Sequence, residues 1–315
     1  MKTGPWRLIF LGTPEFAVPS LQALLDAGEE VAAVLSQPDR PRGRGQRVSP
    51  SPVKQLAQSR GLKVLQPLRL KDPEFLQSLA ALEPELMIVV AYGRILPREM
   101  LALPSEGCLN VHASLLPRYR GAAPINWALI RGDRETGVTI QWLGFEVDTG
   151  PIFLQERLTI GPEDNAGTVS ARLAERGAAL LVKALEMLRR GEAVKLPQAD
   201  VGVTMAPPIA PEMRRLDWQQ SAREVAGWIR GLDPAPGAFT LWQGRRLKLF
   251  GARIKKSGGR RAAPGTVLEL DDSGGLEIAC GEGSITVAAL QLAGHRRSPA
   301  PDFLRGQPLL HQVLG

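Results

Sequence analysis

The first apolar run, Trp6 to Leu11, is short and unbroken, as suits a buried strand, and it closes on Gly12-Thr13-Pro14. From 15 to 26 the spacing turns helical, with Phe16, Val18, Leu21, Leu24 and Leu25 on one side. A second strand is expected over 31–35, then helix, strand and helix over 53–60, 63–65 and 72–82, then apolar strands over 86–90 and 108–111. Residues 37–52 break the rhythm with Pro, Gly and Arg and are expected to form an irregular insertion. Strands alternating with helices predict an α/β domain with a Rossmann-like, doubly wound, mostly parallel sheet covered by helices on both faces.

After Thr136 the pattern changes. Extended segments over 137–142 and 152–159 flank a loop, and a long helix over 168–190 is stopped by Gly191. APPIAP at 206–211 cannot be helix interior and opens an expected linker, 206–214. Beyond a short helix at 221–230, brief apolar runs separated by glycines (239–241, 246–249, 265–270, 276–278, 284–292) predict a small OB-like β-barrel. The expected domains are therefore 1–205 and 215–315.

Bulk properties narrow the class. The chain has 315 residues, 44% hydrophobic and 23% charged, which fits two globular domains. No apolar run approaches the roughly 20 residues that cross a bilayer, so no membrane partner and a cytoplasmic location are expected. Cys108 and Cys280 lack CxxC partners, and His112, His295 and His311 lack ligand spacing, so neither a disulfide nor a metal is expected. Residues 206–315 hold 15 Lys and Arg against 10 Asp and Glu, which places +5 of the net +7 there and points to a polyanionic partner.

Chemistry concentrates in NVHASLLPRYRGAAPINWAL, residues 110–129. Alternation along a strand puts Asn110 and His112 on the same side at its carboxyl end, where open parallel sheets bind ligands. Gly121 permits a tight turn before a helix that starts near Pro124. Further on, the loop EVDTG carries Asp148. Together the three side chains suit acyl transfer to an amine. The Asn110 carboxamide holds a carbonyl oxygen as it becomes an oxyanion, and a protonated His112 adds positive charge. Asp148 orients that imidazole, favours its charged form, and accepts a proton from the attacking amine directly or through water. Taken singly, an Asn-x-His that caps a loop and an Asp-Thr-Gly turn are equally ordinary.

Taken together, Asn110, His112, Ser114–Leu115–Leu116–Pro117–Arg118–Tyr119–Arg120–Gly121–Ala122 and Val147–Asp148–Thr149–Gly150 resemble the signature of 10-formyltetrahydrofolate-dependent formyltransferases. The resemblance implies that Asn110, His112 and Asp148 are catalytic and that Ser114, Leu115, Leu116 and Pro117 lie against the folate. It also implies that Tyr92 and Gly93, with the backbone of 144–148, line a pteridine pocket. The implied formyl donor is 10-formyltetrahydrofolate, with no metal and no protein partner required. Within the family, GTPEFA at 12–17 and the basic stretch at 37–57 resemble the tRNA-directed branch, whose insertion contacts the acceptor stem. That assigns tRNA contacts to Arg40, Arg42, Arg44 and Arg47, with Arg44 foremost. It implies formylation of the α-amine of methionine carried by initiator methionyl-tRNA, rather than of a sugar-nucleotide or glycinamide ribonucleotide amine. Leu216-Asp217-Trp218 and Ala263-Pro264-Gly265-Thr266 extend the resemblance into the basic second domain, where Arg245, Arg246, Lys248, Arg253, Lys255 and Lys256 are candidates for backbone contact. Two positions depart from the pattern: Pro208 stands where the family has a lysine, and Glu146 where it has a glycine.

Overall fold

The computed structural model describes residues 2–42, 47–255 and 262–315. The first half alternates as expected: β1 (Arg7–Gly12), α1 (Val18–Asp26), β2 (Glu30–Leu35), β3 (Arg40–Arg42), β4 (Arg47–Ser49), α2 (Pro52–Ser59), β5 (Val64–Leu65), α3 (Pro73–Ala80), β6 (Leu86–Val90), α4 (Arg98–Leu101) and β7 (Cys108–His112). There follow α5 (Pro124–Ile130), β8 (Glu135–Trp142), β9 (Ile152–Thr159) and the long α6 (Ala166–Arg189). The remainder is α7 (Ala222–Leu232), β10 (Phe239–Trp242), β11 (Arg245–Ile254), β12 (Val267–Leu270), β13 (Leu276–Ala279), β14 (Ser284–Leu292), β15 (Ser298–Pro299) and α8 (Ala300–Gly306).

These elements group into two compact units, each built from three stretches of chain. The first holds the residues up to Ala122 with Gly137–Leu158 and Ser170–Ala206, and the second holds Ala123–Thr136, Thr159–Val169 and Pro207–Gly315.

In the first unit a seven-stranded sheet runs in the order β5-β2-β1-β6-β7-β8-β9. Pairings are parallel from β5 through β7, and β8 lies antiparallel to β7. All of β6 (LMIVV) and all of β7 (CLNVH) are buried, which is why those strands read as continuous apolar runs. Two of the unit's helices start where a side chain satisfies a free N–H group. Ser51 accepts the Lys54 N–H ahead of α2 and Asp72 that of Glu74 ahead of α3, each followed by proline. The chain builds outward from β1 through β2 to β5, then reverses to β6 and β7. That places a topological switch between β1 and β6, the position at which such sheets bind ligands.

The insertion differs from its expected irregularity. β3 and β4 pair as an antiparallel ribbon with Arg40 opposite Ser49 and Arg42 opposite Arg47. Such a ribbon satisfies backbone groups pairwise, and its base is fixed from outside. Lys54 Nζ sits 2.6 Å from Asp39 Oδ2 and 2.8 Å from Gln66 Oε1, and Gln66 Nε2 donates to Asp39 Oδ1 at 2.8 Å. Helix α6 begins earlier than its apolar pattern suggests. Asn165 Oδ1 accepts the Thr168 N–H at 2.9 Å and Thr168 Oγ1 accepts the Asn165 N–H at 3.0 Å, a reciprocal cap that brings Ala166 and Gly167 into the helix.

The second unit is an all-antiparallel sheet, β10-β11-β14-β13-β12, with β15 beside β14. Its core joins Leu216 and Trp218 to Val225 and Ile229 of α7 and to Leu247, Ile278 and Val287 of the sheet. A full capping box between Ser221 and Glu224 starts α7. α5 packs on α7 through an edge-on Trp127–Trp228 contact at 5.9 Å and a 2.7 Å bond from Asn126 Nδ2 to the Gly231 carbonyl. Among the described residues no helix is long and apolar enough to cross a membrane.

Candidate active site

Asn110 and His112 leave the same side of β7, 8% and 6% exposed. Their register partners on β8 are Gln141 and Thr139, so Gln141 stands directly across from Asn110 on that face. His112 Nε2 lies 3.0 Å from the Tyr119 carbonyl. A carbonyl only accepts, so that nitrogen carries hydrogen and the ring is pinned with Nδ1 turned toward Asp148 Oδ2, 3.6 Å away. Among the described residues the Asn110 carboxamide has no hydrogen-bond partner, and as a buried amide it is the free donor of the site.

Asp148 occupies a left-handed backbone conformation, φ 54°, which a short polar residue tolerates better than most. Its carboxylate is held at both oxygens: Oδ2 accepts the Gly121 N–H at 2.8 Å and Oδ1 accepts Gln141 Nε2 at 2.9 Å. The loop closes through Gly150, where a Cβ would come within 1.7 Å of the Trp142 carbonyl oxygen, a spacing only glycine allows. Opposite it, the turn after β7 is stitched to the segment near 204. Tyr119 N donates to Thr204 Oγ1 at 2.8 Å, and Ala206 N donates to the Arg120 carbonyl at 2.7 Å.

Asn110, His112 and Asp148 are thus brought together. Ser114 is fully buried and its hydroxyl donates to the Arg118 carbonyl at 2.6 Å. Leu116 is buried, Leu115 and Pro117 are half-buried, and the Leu116–Pro117 peptide is cis. Tyr92 and Gly93 lie after β6, beyond the switch point, where they line a cavity of about 330 Å³ with Thr13, Gln37, Asp39 and Ser49. Thr13 Oγ1 and Gln37 Nε2 both donate to the Tyr92 carbonyl, at 3.2 and 2.9 Å, and burial pushes the Tyr92 phenol above its ordinary pKa. Asn110, His112 and Asp148 do not line that cavity, and β7 stands one strand beyond β6.

Of the basic residues, Arg40 is exposed and also borders the cavity. Arg42 and Arg47 belong to the ribbon strands, while Arg44 and Lys256 lie outside the described residues. In the second unit, Arg253 faces Glu163 at 2.8 Å, Lys255 is paired with Glu277, and Lys248 donates to the Pro236 carbonyl at 2.6 Å. Arg245 and Arg246 are exposed, though Arg245 donates to the Ala293 carbonyl at 3.0 Å and Arg246 lies over the Phe239 ring. No group of acidic, His and Cys residues suited to a metal occurs among the described residues.

Sequence reading missed Gln141 and Gln198 as partners of Asp148, and Arg120 as the partner of Gln198. One signal was available for Gln141: it is a lone amide inside the apolar strand VTIQW, and buried polar groups are there to bond.

The family model for formyl transferase matches residues 6–185, and the model for the formyl transferase C-terminal domain matches residues 208–308. The chain belongs to the formyl transferase family. Among its relatives, the methionyl-tRNA formyltransferase of Moorella thermoacetica is 50% identical, over 98% of this chain and 99% of that protein. The enzyme of the same name from Pelotomaculum thermopropionicum is 48% identical over 98% of both. Solved formyl transferase folds align as well. HypX from Aquifex aeolicus in complex with tetrahydrofolic acid gives a TM-score of 0.67 at 21% identity, covering 96% of this chain and 47% of that one. The sugar 3N-formyl transferase WlaRD gives 0.68 at 16% identity, covering 93% and 100%. Among formyl transferases this chain therefore shares near-complete length and half its residues with tRNA-directed enzymes, and only the fold with sugar-directed ones.

Proposed function

We propose that the protein transfers the formyl group of 10-formyltetrahydrofolate to the α-amine of methionine on initiator methionyl-tRNA. One observation carries this: a chain similar over 98% of its length to a methionyl-tRNA formyltransferase has Asn110 and His112 at the carboxyl end of β7 with Asp148 against them.

The amine lone pair attacks the formyl carbon and the carbonyl π electrons move onto oxygen. The Asn110 amide, which has no other partner among the described residues, donates to that oxyanion. His112 Nε2 is taken by the Tyr119 carbonyl, so the ring acts through the charge it carries when protonated rather than as a direct donor. Asp148, an acceptor fixed at both oxygens, takes the proton the amine loses, directly or through a water. The oxyanion electrons then re-form the carbonyl as the C–N10 bond breaks, and N10 keeps the bonding pair and takes up the proton that Asp148 accepted, directly or through the water. The products are N-formylmethionyl-tRNA and tetrahydrofolate, so no covalent enzyme intermediate is needed.

In this reading Tyr92, Gly93 and Ser114–Pro117 bound the folate, while Arg40, Arg42, Arg44 and Arg47 meet tRNA phosphates. The organisation proposed with it is a catalytic domain over 1–205, a linker over 206–214 and a tRNA-binding domain over 215–315, working in the cytoplasm without a required protein partner. The deciding assay offers labelled 10-formyltetrahydrofolate with methionyl-initiator tRNA, methionyl-elongator tRNA and a UDP-amino sugar in parallel. Label on initiator tRNA alone supports the assignment; label on the sugar instead overturns it while keeping the chemistry.

A further inference from the structure

Behind Asp148 stands a chain of polar side chains to which none of the roles above has been given. Arg120 donates from both Nε and an Nη to Gln198 Oε1, at 3.0 and 2.8 Å. The Gln198 amide nitrogen then reaches the Asp148 carbonyl at 2.7 Å, the Gly150 carbonyl at 2.8 Å and Gln141 Oε1 at 3.4 Å. Gln141, fully buried, passes its own amide N–H to Asp148 Oδ1 at 2.9 Å.

The direction of this chain follows from its ends. A guanidinium has only donors, so the oxygen of Gln198 must face Arg120 and its NH₂ must face the loop carbonyls. A carboxylate has only acceptors, so Gln141 must turn its NH₂ to Asp148 and its oxygen to Gln198. Both amide orientations are dictated, and a flip of either would set like against like at both ends of the side chain.

We propose that Gln141 and Gln198, ordered by Arg120, are positioning residues that fix the rotamer and loop conformation in which Asp148 faces His112. Asp148 needs such support because its backbone is left-handed and it sits in a loop whose neighbours Phe145, Glu146 and Val147 are exposed. Among the described residues, the charged and titratable groups linked to its carboxylate are His112 on β7 and Arg120 across Gln198, with the exposed Glu146 two positions earlier on the loop. Fixing a reacting group this way changes how often it is correctly placed, not how tightly either substrate binds.

This inference rests on the catalytic role proposed for Asp148, so the test separates the two. Steady-state transfer to methionyl-initiator tRNA would be measured for Asp148→Asn, Gln141→Met, Gln141→Glu and Gln198→Met, with thermal unfolding of each. Gln141→Met and Gln198→Met should lower kcat by roughly 10²-fold with KM for folate and tRNA near parental. Gln141→Glu sets a carboxylate against Asp148 and should be poor at about pH 8. Its kcat relative to the parent should recover towards about pH 6, where a protonated Glu can again donate. Normal turnover by Asp148→Asn sinks the catalytic role and this inference with it. An inactive Asp148→Asn beside fully active Gln141→Met or Gln198→Met, or a rise in KM alone, sinks only the positioning. Gln198 is half-buried, so its variant keeps the question open to refutation if the buried Gln141 variants fail to fold.

Discussion

The Gly121 N–H donates to Asp148 Oδ2 at 2.8 Å, while a Cβ placed on Gly121 would fall 2.7 Å from the Ala206 carbonyl oxygen. One residue therefore anchors the carboxylate and admits the returning strand segment. Its φ of 122° lies where side chains are strained. Gly121→Ala is expected to lose about 1–3 kcal/mol of stability and to impair turnover beyond that loss. Urea unfolding together with kcat at a temperature where the variant remains folded checks both parts; a parental kcat would contradict the second.

Removing the free donor of the site should act on chemistry alone. Asn110→Ala is expected to lower kcat by roughly 10²–10³-fold, the usual cost of one oxyanion donor. Since the amide has no partner in the described structure, its loss should leave the melting temperature within a few degrees of the parent. A large drop in melting temperature would instead mark Asn110 as a packing residue.

Arg40 is exposed on the ribbon, and its side chain is expected to meet phosphate rather than protein. Arg40→Ala should raise KM for tRNA, leave folate KM unchanged, and flatten the salt dependence of tRNA use by about one unit of slope. An unchanged salt slope would remove Arg40 from the tRNA contact set.

Burial pushes the thiols of Cys108 and Cys280 up to about 12 from an ordinary value of 9.0. Because both values rise on folding, their stabilising contribution is complete below the unfolded value and is lost as pH climbs from 9.0 towards about 12. Thiol labelling at about pH 8 should therefore be negligible in the native protein and complete in denaturant. Rapid native labelling of either cysteine would contradict this burial.

Local pattern made most of the first sheet legible, because strands buried on both faces announce themselves as unbroken apolar runs. The pairing of Asn110 with His112 on one side of β7 needed only the two-residue repeat of a strand. The ribbon of β3 and β4 was hidden because its order comes from Asp39, Lys54 and Gln66 rather than from its own Pro- and Arg-rich residues. Gln198 was invisible for a related reason. It lies 50 residues from Asp148 and 78 from Arg120, and no periodicity links residues that meet only through the fold. The same limit hid the allegiance of 123–136 to the second unit, since α5 reads like any helix of an alternating domain until its contacts with α7 are seen.

That allegiance bears on how such a protein can change over time. A gene for this chain broken and rejoined near codon 206 would donate a second unit that lacks the α5 segment and 159–169, both left behind upstream. The recipient would have to supply matching partners for Trp228 and the Gly231 carbonyl from foreign sequence. Shuffling is thus penalised at the boundary where it would be easiest to imagine, and the two halves are bound to descend together.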